Sequence, residues 1–501
     1  MTSLTIVSTR TSKQVCLLGT AILFLAGFCF SQPAISLSPI DGPPTTSLRV
    51  AGSGFAPNAK IDIYFGTQGE AVAMTNGSGS FSQIAIRAPA SALPGTHWVS
   101  AVERSGHSGT QATFLVHTSW NQFHRQDMVR WNRYENVLNV NNVGGLQRKW
   151  SYATGEGYVG SSPAVVNGVV YVSSGSGKAY ALQASNGAKL WSYLTHDNLG
   201  SAPAVANGVV YLGSTDGNVY ALKANTGALL WRYYTSDYGV GCSPTVVNGV
   251  VYIGADNDYV YALKATTGAL LWSYLTTGFV LSTPAVANGV VYVGSDDGNL
   301  YALNASTGAM LWSYAIGSPT MSSPAVANGV VYMGPDNSDT VYALSASTGT
   351  VLWTYATTTN LGSSPAVANG VVYVGVFNSD AYALNAKTGA LLWTYPGGFS
   401  SAAVANGVVY VGSYDGNVYA LNASTGTKLW SYNTGYSVDS SPAVVNGVVY
   451  VGSNNGVVSA YGLKKDQEKE QAASERPSLK TLRPDFHLKV SQPVATPAGT
   501  Q

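Results

Sequence analysis

Charged residues are scarce in this sequence. Asp, Glu, Lys and Arg make up only 10% of its 501 residues, against about a quarter in ordinary soluble domains. The formal net charge is +1, and Lys and Arg gather into no basic stripe, which argues against a nucleic-acid partner. The six histidines do not cluster, so the sequence predicts no zinc or other metal site. Gly and Tyr are abundant instead, as in an all-β protein with many tight turns.

Cysteine is nearly absent, with three in the whole chain: Cys16, Cys29 and Cys242. If the first two are removed with a leader, the mature chain keeps one thiol and forms no internal disulfide. A lipoprotein is disfavoured because Phe28, and not a small residue, precedes Cys29. Cys242 has no histidine near it in sequence and takes a slot that holds Ser, Ala or Thr in the other repeats. We therefore interpret it as a packed small residue and not as a nucleophile.

The N-terminus predicts a signal peptide. Arg10 and Lys13 precede an apolar stretch over residues 15–30, and small residues allow cleavage after Ser31. We expect residues 1–31 to be removed, leaving no membrane span, and the protein to be secreted, periplasmic or on the cell surface. The alternative is an uncleaved anchor, although the apolar stretch is short for a membrane span.

One pattern of about forty residues recurs eight times. Each copy holds an Asn-Gly pair, the strongest signal for a two-residue hairpin turn, and ends in a Trp-x-Tyr strand. The tryptophans are Trp150, Trp191, Trp231, Trp272, Trp312, Trp353, Trp393 and Trp430. A period near forty with four short apolar runs is typical of a β-propeller blade. The sequence therefore predicts an eight-bladed propeller over residues 146–463, with each Trp docked against the neighbouring blade.

The strand count predicts how the ring closes. The eighth copy ends in a weak third strand over residues 457–461, and no Trp follows it. The unmatched outer strand lies at the other end of the repeats, around Trp150. We expect this N-terminal strand to complete the last blade, so that no open sheet edge remains at the seam.

The blade sequences resemble a known family. Residues 302–312, Ala-Leu-Asn-Ala-Ser-Thr-Gly-Ala-Met-Leu-Trp, are similar to the tryptophan-docking motif of quinoprotein propellers, with Asn where that motif often has Asp. The segment from Trp120 to Phe123 also resembles those proteins. The resemblance covers residues 119–463 and extends to non-enzymatic bacterial relatives, including the propeller lipoprotein of outer-membrane protein assembly. It implies either a scaffold or an enzyme that uses pyrroloquinoline quinone with calcium.

The remaining segments differ in composition from the repeats. Residues 35–118 alternate short strands with Gly-Pro and Asn-Gly turns, which predicts a small β-sandwich. The segment from Leu37 to Pro57 resembles the opening of immunoglobulin-like domains of the IPT/TIG kind, and this implies a spacer or adhesion module. We expect residues 119–145 to be a connector and residues 464–501, which are poor in large apolar residues, to be a disordered tail.

Because the repeats are nearly identical, functional information should lie where they differ. The loops from an outer strand to the next inner strand lie on the same face as the turns between second and third strands. The candidate binding residues in these loops are Glu156, Tyr158, His196, Asp197, Asn198, Asp237, Tyr238, Phe279, Asn360, Phe399, Tyr436 and Asp439. They form either a shallow polar site at the channel mouth or ordinary solvated loops. Residues 256–258 and 336–339 carry oxygen ligands but occupy the common turn slot, so we expect turns and no calcium site.

Three functions remain open at this point. The first is a secreted scaffold that binds a protein or glycan on a propeller face, without catalytic residues or cofactor. The second is a quinone-dependent dehydrogenase of alcohols or sugars, disfavoured because Glu156 is the single Glu of the ring and Cys242 stands alone. The third is a purely structural surface or adhesion protein.

Overall fold

The computed structural model describes residues 32–105, 108–125, 128–155, 157–376, 380–397, 400–464, 477–479 and 482. The expected signal peptide lies outside the described residues. Within the described part of the chain, no helix has the length and apolar character that a membrane crossing requires.

The N-terminal unit consists of two facing β-sheets. Its strands are β1 (Ala34–Ser38), β2 (Asp41–Gly42), β3 (Ser47–Ser53), β4 (Lys60–Phe65), β5 (Gln68–Met74), β6 (Phe81–Arg87), β7 (Gly95–Glu103) and β8 (Gly109–Val116). One sheet has the order β1-β3-β6 and the other β2-β8-β7-β4-β5. Alternate residues of β4, such as Ile61 and Ile63, are fully buried in the shared core. On the opposite face Asp62 forms an ion pair with Arg104. The immunoglobulin-like assignment of this unit remains a prediction.

The strands between residues 147 and 462 form the predicted all-β propeller; they are short and repeat in the same order. The inner strands are Ala164–Val166, Ala204–Ala206, Thr245–Val247, Ala285–Ala287, Ala325–Ala327, Ala366–Ala368, Ala403–Ala405 and Ala443–Val445. The second strands are Val169–Ser173, Val209–Gly213, Val250–Gly254, Val290–Gly294, Val330–Met333, Val371–Gly375, Val408–Gly412 and Val448–Ser453. We number the blades 1 to 8 in the order of these strands.

Two more strands complete each sheet. The third strands are Lys178–Gln183, Asn218–Lys223, Tyr259–Lys264, Asn299–Asn304, Thr340–Ser345, Asp380–Asn385, Asn417–Asn422 and Val457–Gly462. The outer strands are Lys189–Leu194, Leu229–Tyr234, Leu270–Leu275, Met310–Ala315, Val351–Ala356, Leu391–Pro396, Lys428–Asn433 and, for blade 8, Gln147–Ala153. Each inner strand contacts the next, and the inner strand of blade 8 contacts that of blade 1, so the sheets form a closed ring.

The seam lies where the strand count placed it. The N-terminal strand Gln147–Ala153 pairs antiparallel with the third strand of blade 8, with Trp150 opposite Ala460. The blade is thereby completed by residues more than three hundred positions earlier in the chain. This pairing joins the two ends of the propeller and covers the edge of the last third strand.

Each Trp of the outer strands binds the neighbouring blade. The indole Nε1 of Trp191 donates to the carbonyl of Ala224 at 2.8 Å, and the hydroxyl of Tyr171 donates to the same oxygen at 3.2 Å. Gly227, at φ +70°, lies under the Trp191 ring, and a Cβ there would approach the ring to 2.7 Å. This contact explains the recurrent Thr-Gly of the motif, since any side chain would displace the indole.

The segment of residues 119–125 and 128–132 runs around the inside of the ring, and we call it the hub segment. It contacts the blades in cyclic order. Its hydrogen bonds with the ring are Val165 N to Trp120 O (2.6 Å, blade 1), Val205 N to Asn121 O (2.7 Å, blade 2), Val246 N to Gln122 Oε1 (3.0 Å, blade 3), Val326 N to Met128 O (3.2 Å, blade 5), Val367 N to Val129 O (2.9 Å, blade 6), Val404 N to Arg130 O (3.0 Å, blade 7) and Asn132 Nδ2 to Val444 O (2.9 Å, blade 8). For blade 4 the described residues form no such bond, and both ring nitrogens of the buried His124 lack a hydrogen-bond partner there.

These bonds satisfy backbone groups that would otherwise face the axis of the ring. An inner strand of three residues pairs on one side only, so its other edge needs partners. At Trp131–Asn132 the hub segment becomes a fifth strand, parallel to the inner strand of blade 7. Blade 7 is therefore a five-stranded sheet, whereas the other blades have four strands.

Arg130 anchors the hub segment. Its side chain is completely buried, and it donates to the carbonyls of Ala402 (2.8 Å), Pro442 (3.1 Å) and Phe123 (2.5 Å). The guanidinium also lies 4.5 Å from the centre of the Phe123 ring, which favours a cation. Carbonyl dipoles and aromatic faces thus hold this charge, and burial lowers the pKa of Arg130 to about 9.

His124 should make the stability of the propeller depend on pH. Burial and then the Arg130 guanidinium lower the pKa of its imidazole to about 3, against about 6.5 in an unfolded chain. Between these two pKa values the His124 imidazole is protonated in the unfolded chain and neutral in the folded one. The free energy of unfolding therefore falls as pH drops from about 6.5 toward about 3. Asp336, whose pKa burial raises to about 6, opposes this loss below pH 6.

We expect the wild-type chain to lose about 2 kcal/mol more stability between pH 7.5 and pH 5 than His124→Gln does, from roughly 1.5 pKa units at about 1.4 kcal/mol each. Thermal unfolding at both pH values measures the difference. His196→Gln is the control, because His196 is exposed. Equal losses in the wild type and in His124→Gln would show that the buried ring does not titrate as described.

The tail contacts the sandwich where the structure describes it. The carbonyl of Pro477 accepts a hydrogen bond of 2.9 Å from Gln111 Nε2, on strand β8. The expectation of a disordered tail otherwise concerns residues outside the described part of the chain.

Candidate binding face at the channel mouth

One face of the ring carries the variable loops, and we call it the rim face. The loop before each inner strand bonds to the turn between the second and third strands of the same blade. In blade 1, Gly175 N donates to Tyr158 O at 2.9 Å, and in blade 4, Asp296 N donates to Phe279 O at 2.8 Å. The two sets of loops therefore lie on one face around the channel mouth, and the described part of the hub segment bonds to the inner strands inside the ring.

Four of the predicted binding residues are exposed aromatic side chains on this face. They are Tyr158 (43% exposed), Tyr238 (61%), Phe279 (46%) and Tyr436 (60%). Aromatic side chains are enriched at the centres of protein interfaces. They stand in loops leading into blades 1, 3, 4 and 8, so the rim face has an interrupted aromatic border.

Several predicted polar residues are held within their own loops. Asp237 accepts a hydrogen bond from the hydroxyl of Tyr234, and Asp197 Oδ1 accepts one of 2.7 Å from the Asn198 amide N–H. The side chain of Asn198 also reaches the hydroxyl of Tyr158 in the neighbouring loop, at 3.0 Å. Asp197 and Asp237 thus shape their loops, and only Tyr158 with Asn198 joins two blades.

The other predicted residues fall into three groups. Asp439 joins loop to turn, accepting hydrogen bonds from Ser437 Oγ at 2.5 Å and Asn454 Nδ2 at 2.7 Å. His196 and Asn360 are exposed on their loops. Glu156 and Phe399 lie outside the described residues.

A row of carboxylates at the channel mouth was not recognised as a site from the sequence. Asp256, Asp296 and Asp336 occupy the same position, at the start of the turn between second and third strands, in blades 3, 4 and 5. Burial raises the pKa of all three, and repulsion from Asp296 raises those of Asp256 and Asp336 further. Asp336 Oδ2 accepts hydrogen bonds from the backbone N–H groups of Met321 (2.7 Å) and Ser322 (2.8 Å).

Across the mouth from this row lies Tyr414, at the same turn position in blade 7. Burial raises the pKa of its hydroxyl, and repulsion from Asp439 and Asp336 raises it further. The channel mouth thus has three carboxylates on one side and Tyr414, with Asp439 near it, on the other. The signal for it in the sequence is one turn position that varies between blades, whereas the predicted binding residues lie in the longer loops.

In the described part of the chain, the thiol of Cys242 is buried. No three His, Cys, Asp or Glu side chains in the described ranges are grouped as ligands of one metal ion. The Cys242 thiol donates to the Gly254 carbonyl at 3.2 Å, and burial raises its pKa to about 12. In blade 1, Ser161 makes the equivalent bond to Ser173 at 2.8 Å. Cys242 therefore holds a structural position.

Comparison with known proteins places this chain in a family. The family model described as outer membrane protein assembly factor BamB matches residues 118–243, 215–338, 280–396 and 337–495. This chain belongs to that family of PQQ-like propellers. The match begins at residue 118, so it includes the hub segment.

Solved structures share the fold at low sequence identity. BamB from Moraxella catarrhalis is 22% identical with a TM-score of 0.56, over 64% of this chain and 100% of that one. Quinohemoprotein alcohol dehydrogenase ADHIIG from Pseudomonas putida HK5 is 19% identical with a TM-score of 0.61, over 72% of this chain and 81% of that one. The computationally designed Ika8 protein is 18% identical with a TM-score of 0.57, over 63% of this chain and 100% of that one. No curated protein matches the sequence. At these identities the likeness concerns the fold, which scaffolds and enzymes share.

Proposed function

We propose that this protein is an exported scaffold that binds a protein partner on the rim face and catalyses no reaction. The observation that carries the proposal is the border of exposed aromatic side chains around an acidic channel mouth. Membership of a family described by outer-membrane protein assembly supports a protein partner over a glycan.

The charge of the rim face specifies the partner further. The row of Asp256, Asp296 and Asp336 favours a basic side chain at the channel mouth, since Lys or Arg would relieve the repulsion among the carboxylates. The neighbouring aromatic rings, among them Tyr238 and Phe279, offer the flat apolar area on which such partners are held. Binding should therefore weaken as salt screens the carboxylates.

A quinone-dependent dehydrogenase remains the alternative, and the described residues do not fit its cofactor. Calcium beside the quinone would need clustered carboxylate and amide oxygens. No three His, Cys, Asp or Glu side chains of the described residues are grouped as ligands of one ion, and Glu156 lies outside these residues. The lone buried Cys242 offers no pair of adjacent sulfurs. We therefore propose no pyrroloquinoline quinone or calcium in this protein, and no nucleic acid as partner.

The experiment is a pull-down with the mature chain from an envelope extract of the parent organism. The test variant combines Tyr238→Ser, Phe279→Ser and Tyr436→Ser on the rim face. The control combines Leu190→Ser, Leu311→Ser and Leu352→Ser, which are equally exposed but lie on outer strands at the circumference. We expect one partner captured by the wild type and the control and lost from the rim variant. Capture of no partner would favour the purely structural alternative, and equal loss from both variants would reject the rim face.

Export is predicted to end in cleavage after Ser31. The apolar stretch of residues 15–30 follows two basic residues, as in secretory leaders. Mass spectrometry of the N-terminal peptide of exported material should find a chain starting at Gln32. A peptide beginning within the first twenty residues would show instead that the segment is retained as an anchor.

A further inference from the structure

The face opposite the rim face carries the Asn-Gly turns, and it contains a cleft between blades 5 and 6. The cleft has a volume of about 200 Å³ and is lined by Val129, Trp131 and Arg133 of the connector with the turns at Asn328 and Asn369. The guanidinium of Arg133 lies 5.1 Å from the centre of the Trp131 ring. The cleft therefore combines an aromatic surface with a positive charge.

Blades 7 and 8 show what these turns can bind, because the connector covers them. Asn406 Nδ2 donates to the carbonyl of Leu138 at 2.9 Å, and Asn446 Oδ1 accepts from the backbone N–H of Thr118 at 2.8 Å. Each turn asparagine thus bonds to the main chain of a segment lying across it.

A carboxylate and an apolar side chain complete this mode of binding. Glu135 Oε2 accepts a hydrogen bond of 3.2 Å from the backbone N–H of Gly447. The side chain of Val137 packs on the same glycine, where a Cβ would approach it to 2.6 Å. Glu135 Oε1 also accepts from the backbone N–H groups of Val137 (3.0 Å) and Leu138 (3.1 Å) in its own segment. The turn of blade 8 is thus covered by two stretches of chain, Thr118 at Asn446 and residues 135–137 at Gly447.

The turns of blades 5 and 6 have the same geometry but are open. Asn328 has φ +50° and Asn369 φ +49°, against +51° for Asn446. The two asparagines are exposed, and no described atom lies within 4 Å of a Cβ built on Gly329 or Gly370. The elements that hold the connector on blades 7 and 8 thus recur beside the cleft without a covering segment.

We propose that this cleft binds an extended acidic peptide of a partner protein, in the mode by which the connector covers blades 7 and 8. The peptide backbone bonds to Asn328 and Asn369, an apolar residue packs on the turn glycines, and a carboxylate pairs with Arg133. The volume is below the roughly 300 Å³ at which small-molecule sites begin, and it suits one inserted side chain of a peptide. This inference concerns a different face from the proposed function and does not depend on it.

The probe is a fluorescent peptide with the sequence of residues 134–142, Tyr-Glu-Asn-Val-Leu-Asn-Val-Asn-Asn, whose binding to the full-length mature chain is followed by polarisation. A second peptide replaces its Glu by Gln. We expect the first to bind roughly tenfold more tightly, the size of one hydrogen bond to a charged group. Arg133→Gln should abolish this preference.

The double variant Asn328→Gly and Asn369→Gly removes both amides while keeping the positive φ of the turns, and it should weaken binding at least about fivefold. Asn207→Gly with Asn248→Gly, in the turns of blades 2 and 3, is the matched control and should bind as the wild type does. No binding at about 1 mM peptide, or equal affinity in all variants, would overturn the proposal. Binding that appears only after truncation at Lys464 would also overturn it, because the tail of the chain would then be the occupant.

Discussion

Replacing Arg130 by Ala should destabilise the propeller by about 3 kcal/mol, because each buried carbonyl left without a donor costs roughly 1–3 kcal/mol. Three carbonyls, those of Ala402, Pro442 and Phe123, lose their partner at once. Part of this cost is offset, since the variant no longer buries a charge without a carboxylate beside it. The removed side chain also leaves a cavity where blades 7 and 8 meet the hub segment.

Chemical unfolding followed by tryptophan fluorescence measures this change, since the eight docked indoles report on the ring. Arg133→Ala is the matched control, because this arginine belongs to the same connector but is exposed, and surface changes usually stay within about 0.5 kcal/mol. If the two variants unfold at the same denaturant concentration, the hub segment does not hold the blades together as described.

Deleting residues 146–153 should have a still larger effect and open the ring. The deletion removes Trp150, whose Nε1 donates to the Ala184 carbonyl at 2.8 Å, and it uncovers the whole third strand of blade 8. It also removes the Leu146 carbonyl, to which Trp430 of blade 7 donates at 2.9 Å. Loss of one large buried aromatic alone costs about 3–5 kcal/mol, so the total should exceed about 5 kcal/mol.

Thermal unfolding and size-exclusion chromatography test this together, since an uncovered strand edge also promotes association. The control is deletion of residues 483–501, which removes more of the chain and no strand of the described ring. We expect the control to unfold as the full chain does. An unchanged midpoint after deletion of 146–153 would show that the seam contributes nothing to the ring.

Much of the fold could be predicted because short motifs that recur in every repeat specify it. The Asn-Gly pairs specify hairpins through positive φ, and the tryptophans mark one strand of every blade. The count of strands even locates the seam at Trp150. Such signals are local in the chain, and the ring follows by repetition.

The hub segment was not predictable in the same way. It has no periodicity, and two of its charged or polar members, Arg130 and His124, are almost fully buried, whereas such residues in a connector are ordinarily exposed. Arg130 is held by carbonyls of blades 7 and 8 that lie 272 and 312 positions away in the chain. The sequence therefore predicted a connector for the hub segment, whereas the structure has this segment in the centre of the ring.

The candidate site was predictable as a face and not as a set of contacts. The loops holding Tyr238 and Phe279 lie on the expected face. Whether the Asp side chains of such loops come together at the channel mouth depends on loop conformations, and the repeat pattern does not specify these. Asp237 was expected to be available to a ligand, yet it bonds to Tyr234 in its own loop. Asp256 and Asp336 were interpreted only as turn residues, although the ring also gathers them with Asp296 into one acidic row.

The claim that the propeller is a binding scaffold and not a quinone enzyme is tested most directly by titration with the cofactor. Purified mature protein is mixed with calcium and pyrroloquinoline quinone, binding is followed by quenching of tryptophan fluorescence, and dye reduction is assayed over alcohols and aldoses. We expect no stoichiometric binding and no turnover above that of free quinone. Tight one-to-one binding with turnover that is lost in Glu156→Gln or Asp439→Asn would contradict the scaffold function.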